Sequence, residues 1–117
     1  MRNFKNLTIW KRSMGICVSV YGVIRGLPAH ERFNLGDQIR RAVISIPANI
    51  AEGASKSSQK DFNRFIEISL GSSYELESLL LLASELYPEI QGIDVIIEDL
   101  ILLDKQMHAF KKKLISH

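Results

Sequence analysis

Chemistry in this chain could come from three histidines, one cysteine and a few closely spaced acids. His30, His108 and His117 are scattered, with no His-x-x-x-His spacing and no cysteine partner, so they build no local zinc ligand set and read as surface histidines. Glu75 and Glu77 are two apart, which on a helix turns them in different directions, so they cannot act as paired acid and base. Cys17 falls on an apolar helical face with no cation to activate it and reads as a buried thiol. Gly53-Ala54-Ser55-Lys56-Ser57 has the composition of a phosphate loop. It lacks the earlier glycine, the Gly-Lys step and the preceding strand, so that reading fails. The residues give no catalytic group, no metal site and no cofactor, and an enzyme ranks last among the functional classes.

The cations say more. Formal net charge is only +2, yet residues 1–64 carry eleven Lys/Arg against four Asp/Glu. Residues 65–104 carry nine acids and no base, and residues 105–117 four bases and no acid. Segregation of this kind asks where each block lies in space. Lys56, Lys60 and Arg64 follow the Gly53 turn, and Lys111, Lys112 and Lys113 are consecutive near the end of the chain.

What positions them is a set of helices. Trp10, Met14, Cys17, Tyr21 and Ile24 repeat at alternating three and four, predicting helix 1 over about 7–25. Leu35, Ile39, Ala42, Val43, Ile46 and Ile50 predict helix 2 over about 35–52, N-capped by Asn34, kinked by Pro47 and stopped by Gly53. Ser58 with Asp61 starts helix 3, about 58–87, whose inward side carries Phe62, Phe65, Ile66, Ser69, Ser73, Leu76, Leu80 and Ala83. Ile93, Ile96, Leu100, Leu103, Met107, Phe110 and Leu114 form the seam of helix 4, about 93–114. No period-two alternation marks a strand. The expected fold is one all-α domain over 1–117, an up-down-up-down antiparallel four-helix bundle.

In that bundle the chain start, the turn between helices 2 and 3, and the chain end meet at one end. Arg2, Lys5, Lys11, Arg12, Lys56, Lys60, Arg64 and Lys111 to Lys113 gather there, against Glu52 and Asp61. Glu85, Glu89, Asp94, Glu98 and Asp99 gather at the other, making the domain electrically polar along its axis. A basic end of this kind binds nucleic acid through its backbone, and the start of helix 3 beside Ser57 and Ser58 offers N–H groups to a phosphate. The competing reading is a solvated, lysine-rich terminus. Helices 3 and 4 are apolar nearly all round at Leu79 to Leu82, Val95 to Ile97 and Leu100 to Leu103, which predicts self-association.

Gln38, Arg41, Ser45, Asn49 and Glu52 form a polar line beside the apolar stripe of helix 2, and such groups need partners if buried. Folding helix 2 back on helix 3 sets Arg41 beside Ser69 and Ser72 and within a turn of Glu75, predicting an Arg41–Glu75 pair tied to serine hydroxyls. The stretch is also recognisable. Gln38-x-Arg40-Arg41-Ala42, Ser45-Ile46-Pro47-x-Asn49-Ile50-Ala51-Glu52-Gly53, Phe62, Phe65 and Gly71-Ser72-x-x-Glu75-Leu76, after the opening Phe4-x-x-Leu7-x-x-Trp10, resemble the four-helix-bundle proteins encoded in intervening sequences of 23S ribosomal RNA genes. Ser69 departs from the alanine common there. The resemblance implies a ring-shaped homopentamer. Accessory proteins of diversity-generating retroelements are similar in fold, which implies a nucleic-acid or reverse-transcriptase partner.

The bulk properties set the remaining bounds. With 46% hydrophobic residues and a single cysteine, the chain builds a core without a disulfide and suits the cytoplasm. Ser13 to Ile24 follows Lys11 and Arg12 like a secretion signal, but Arg25 ends it without a cleavage pattern. No apolar run approaches the roughly 18–20 residues that span a bilayer. The expected function is non-enzymatic binding of structured RNA, such as ribosomal RNA, by a homo-oligomer. The alternative is a protein-assembly scaffold with no nucleic-acid role.

Overall fold

A computed structural model describes residues 3–115. A single 3-10 turn, Phe4–Asn6, leads into α1 (Thr8–Gly26); a second, Ala29–Glu31, precedes α2 (Leu35–Ala54), and α3 (Gln59–Leu86) and α4 (Ile93–Ile115) follow. Short connections make successive helices antiparallel neighbours, and α4 returns to pack on α1, closing an up-down-up-down bundle. The 28 residues of α3 span about 42 Å at ~1.5 Å per residue, which sets the long axis of the 47 × 22 × 20 Å molecule.

The core is the set of apolar seams. Val20, Ile39, Val43, Ile46, Ile50, Ile66, Leu76, Leu80, Leu100, Leu103 and Met107 are fully buried, each such side chain contributing roughly 1.5–3 kcal/mol. Phe62 of α3 meets Phe110 of α4 edge to face, ring centres 5.3 Å apart, and ties the start of one helix to the end of the other.

Helix α2 runs unbroken through Pro47. A proline there cannot donate to the carbonyl of Val43, four residues back. The thiol of Cys17 in α1 supplies the missing donor, its sulfur 3.4 Å from that oxygen. A second side-chain donor, the hydroxyl of Ser69 in α3, donates to the carbonyl of Ile46 at 2.9 Å. Both neighbours of α2 therefore hydrogen-bond its backbone around the proline.

Gly53 does not stop α2. The helix continues to Ala54, and among the described residues only Gly92, at φ 93°, has the left-handed backbone that a glycine stop uses. Gly53 is required instead by closeness. A Cβ there would stand 2.8 Å from Cδ1 of Phe62 and 2.8 Å from Cβ of Phe65. The missing side chain lets the end of α2 lie directly on the start of α3.

The caps divide. Ser58 Oγ accepts the N–H of Asp61 at 3.1 Å, closing the start of α3. Asn34 precedes α2 but makes no side-chain cap; its Nδ2 donates to Glu31 Oε1 at 3.1 Å. Glu31 also accepts the phenol of Tyr87 at 2.6 Å. That hydrogen bond, with lesser help from Asn34 and His30, holds the Glu31 carboxyl below its usual range and raises the Tyr87 phenol. The α1–α2 connection is thereby clamped to the end of α3.

Candidate nucleic-acid interface

Three contacts bring the basic segments together at one end. The Phe62–Phe110 pair joins α3 to α4. Lys111 Nζ reaches Glu67 Oε2 at 3.5 Å across the same interface. Asn6, Leu7, Thr8 and Ile9 face Gln106, Ala109, Phe110 and Lys113 around a pocket of about 410 Å³. The start of α1 is bound in by Arg12, whose Nε donates to Gln106 Oε1 at 2.9 Å. Lys56, Lys60 and Arg64 thus share one end of the bundle with Lys111, Lys112 and Lys113.

These cations are not equivalent. Lys56 Nζ and the Arg64 guanidinium lie 5.1 and 4.7 Å from the centre of the Phe65 ring, so one aromatic positions two charges. Lys111 is half-buried and engaged by Glu67. Lys60 and Lys112 are exposed, without a hydrogen-bond or ion-pair partner among the described residues. The hydroxyl of Ser58 already occupies the Asp61 N–H, and the Asp61 carboxylate stands in the same first turn of α3, where it competes with any phosphate. Arg2 and His117 lie outside the described residues.

The opposite end is not uniformly acidic. Glu85, Glu89 and Asp94 belong to α3, α4 and their connection, whereas Arg25 and Arg32 stand at the α1–α2 corner. Strict polarity along the axis therefore gives way to charges divided between helix pairs. The earlier blocks of sequence explain it: the base-rich residues up to 64 make α1, α2 and only the start of α3.

The polar line of α2 meets α3 differently from the expected pairing. Ser45 and Ser72 hydroxyls are 2.8 Å apart, and Asn49 Nδ2 donates to the carbonyl and hydroxyl of Ser45 at 2.8 and 2.9 Å. Gln38, Arg41 and Glu52 are exposed, as is Glu75. Arg41 and Glu75 form no ion pair; the polar contact between the helices is made by the short side chains Ser45 and Ser72, and the long ones stay exposed outside it.

One polar group escaped the sequence reading. Asp104 is buried on the seam of α4 and accepts the hydroxyl of Ser73 at 2.5 Å. Burial pushes its carboxyl up, aided by Glu77 and opposed by Ser73 and His108. The signal available was an acid four residues past Leu100 and three before Met107. His108, one turn on, is exposed and 3.0 Å from the Tyr74 phenol. Cys17 is half-buried, and desolvation raises its thiol to about 11, which makes it a poor nucleophile. Among the described residues no cluster of three His, Cys, Asp or Glu could hold a metal ion, and no helix is long and apolar enough to cross a membrane.

A solved structure shares this architecture: a protein of unknown function from the S23 ribosomal protein family of Bacteroides thetaiotaomicron VPI-5482, determined at 1.70 Å. It is 24% identical, superposes with a TM-score of 0.81, and the match covers 90% of this chain and 99% of that one. No curated protein matches the chain. The sequence model of a single family spans residues 5–109, taking in all but the end of α4, and the chain belongs to that family, the 23S rRNA-intervening sequence proteins.

Proposed function

We propose that the protein is a non-enzymatic, self-associating bundle that binds structured RNA through its basic end. The observation that carries the reading is the convergence of Lys56, Lys60 and Arg64 with Lys111, Lys112 and Lys113 around the Phe62–Phe110 contact. Lysines and an arginine at a solvent-facing end contact phosphates rather than base edges, so binding is electrostatic and reads little sequence. Phe65 holds Lys56 and Arg64 in place before any ligand arrives, which lowers the ordering cost on binding.

Self-association is supported by apolar side chains that the single bundle leaves in water. Leu81, Leu82 and Leu86 on α3, Val95, Ile101 and Leu102 on α4, and Val18 on α1 are all exposed. Helices 1, 3 and 4 supply these contacts, and a parallel ring of subunits would multiply the basic end into a face.

The test is fluorescence anisotropy with a structured RNA and a duplex DNA, at low and physiological salt, with light scattering on the same samples. The wild type should bind RNA, lose affinity steeply as salt rises, and weigh a multiple of 13.3 kDa. Lys111→Glu, Lys112→Glu and Lys113→Glu together should abolish binding without unfolding the bundle. Flat titrations at low salt would sink the RNA reading and leave the scaffold reading in its place.

A further inference from the structure

The α1–α2 corner, at the end remote from the lysines, holds a second pocket of about 420 Å³, lined by Tyr21, Ile24, Arg25, Arg32, Phe33 and Arg40. Its volume falls in the roughly 300–1,000 Å³ range of small-molecule sites. Three guanidinium groups and two aromatic rings around one opening are a costly arrangement for an empty surface, since like charges repel.

The arginines are unequally satisfied. Arg40 pairs with Asp37 and lies over the Tyr21 ring, 5.8 Å from its centre. Arg32 donates only to neutral carbonyls, Leu27 O and Arg25 O, each at 3.4 Å. Arg25 is exposed, and its guanidinium has no hydrogen-bond or ion-pair partner among the described residues. The nearest acid in sequence, Glu31, is turned inward to Tyr87 and Asn34. Two positive charges at the opening therefore lack a counter-charge.

Phe33 supplies the other half of the chemistry. It is 84% exposed, the most exposed large apolar residue described, on a turn pinned by Arg32 N–H to Ala29 O and Asn34 N–H to Glu31 O. A planar apolar ring beside unpaired guanidinium groups suits a ligand with a flat face and an anionic tail. Guanidinium binds phosphate through paired donors, and nucleobases stack on aromatic side chains.

We propose that this corner is a nucleotide site, with phosphate held by Arg25 and Arg32 and the base stacked on Phe33. The ligand is a free mononucleotide or the phosphorylated end of an RNA strand, which present the same groups. The site is separate from the lysine-rich end and does not depend on the RNA reading there.

Calorimetric titration of the full chain at low salt tests it, with AMP, adenosine, inorganic phosphate and a 5′-phosphorylated trinucleotide. AMP should bind more tightly than adenosine or phosphate. Phe33→Ala and Arg25→Ala touch no core contact, so both variants should keep the wild-type melting temperature yet weaken AMP by about tenfold or more. A trinucleotide at least tenfold tighter than AMP assigns a strand end as the source, and equal affinity assigns the free nucleotide. The proposal is overturned if neither AMP nor the trinucleotide saturates, or if both variants bind as the wild type does. Binding lost only in the Lys111 to Lys113 variant also overturns it, because the ligand then sits at the other end.

Discussion

Replacing Gly53 with alanine should destabilise the bundle, although the exchange normally favours a helix. A Cβ at residue 53 would lie 2.8 Å from carbons of both Phe62 and Phe65, against ~3.5–4.0 Å for carbons in contact. Something must then move by about 0.7 Å or more. Phe62 is 1% exposed and has no room to swing, and the Phe65 atom concerned is its Cβ, fixed to the α3 backbone. The relief must come from parting the two helices. Overpacking of this kind costs about 1–3 kcal/mol, and the upper half applies because two rigid contacts fail together. The gain in helix propensity returns about 1 kcal/mol, leaving a net loss of about 1–2 kcal/mol. Urea unfolding followed by circular dichroism reads it as a midpoint lowered by roughly 0.5–1 M, for a slope of about 2 kcal/mol/M. Gly71 in α3 is the internal control: a Cβ there meets nothing within 4 Å, so Gly71→Ala should raise stability by the usual ~0.5–1 kcal/mol and move the midpoint upward. If Gly53→Ala is as stable as the wild type, close helix approach is not why glycine stands there.

Two further substitutions test the buried polar contacts. Asp104→Asn keeps an oxygen for the Ser73 hydroxyl and removes a charge that burial disfavours. A carboxyl raised in the folded state is most stable protonated, so its penalty grows as pH rises above the ordinary 3.8 and is complete once the raised value is passed. Chemical denaturation should show the variant more stable than wild type at pH 7 and equal to it at pH 3; a constant difference across that range would refute the charge argument. Cys17→Ala leaves the Val43 carbonyl without its donor and should cost about 1–3 kcal/mol in urea melts, with Cys17→Ser recovering part of it. In the wild type, a thiol titrating at about 11 leaves about one part in a thousand ionised at pH 8. Disulfide-exchange labelling should therefore be slow in the native protein and fast in urea, and equal rates would contradict the burial.

The helices and their inward faces were legible because apolar residues recur at three and four, a pattern that burial alone produces. The polar line of α2 was harder, since a run of threes and fours is not a straight row. At ~100° per residue, Arg41 lies about 40° round the helix from Ser45, and Ser45 meets Ser72 of α3 while Arg41 faces water. Gly53 misled because a glycine near a helix end usually adopts a left-handed turn, whereas here the Phe62 and Phe65 side chains of another helix dictate it. Asp104 stands beside Lys105 with no apolar side chain to mark it as buried, and only Ser73 across the interface makes its burial tolerable. Arg25, Arg32 and Arg40 come from a helix end, a connection and a second helix, so their convergence required the tertiary structure.

The buried residues that make the family recognisable are spent on joining α2 to its neighbours. Ser45 bonds Ser72, Pro47 leaves a Val43 carbonyl that Cys17 takes, and Gly53 admits Phe62 and Phe65; Ser69, where the family commonly has alanine, adds a bond to the Ile46 carbonyl. Side chains committed to a helix contact cannot also grip a ligand, so this buried part of the motif specifies how the bundle closes, and its exposed side chains, Gln38, Arg41, Glu52 and Glu75, with half-buried Arg40, stay open to solvent. The groups proposed to bind lie elsewhere: Lys60 and Lys112 at one end, Arg25 and Phe33 at the other. Neither set disturbs the core when changed. A bundle built this way can exchange one ligand for another without refolding, so family membership determines the fold of this chain far more tightly than its partner. The two ends, taken one at a time, are where its function has to be measured.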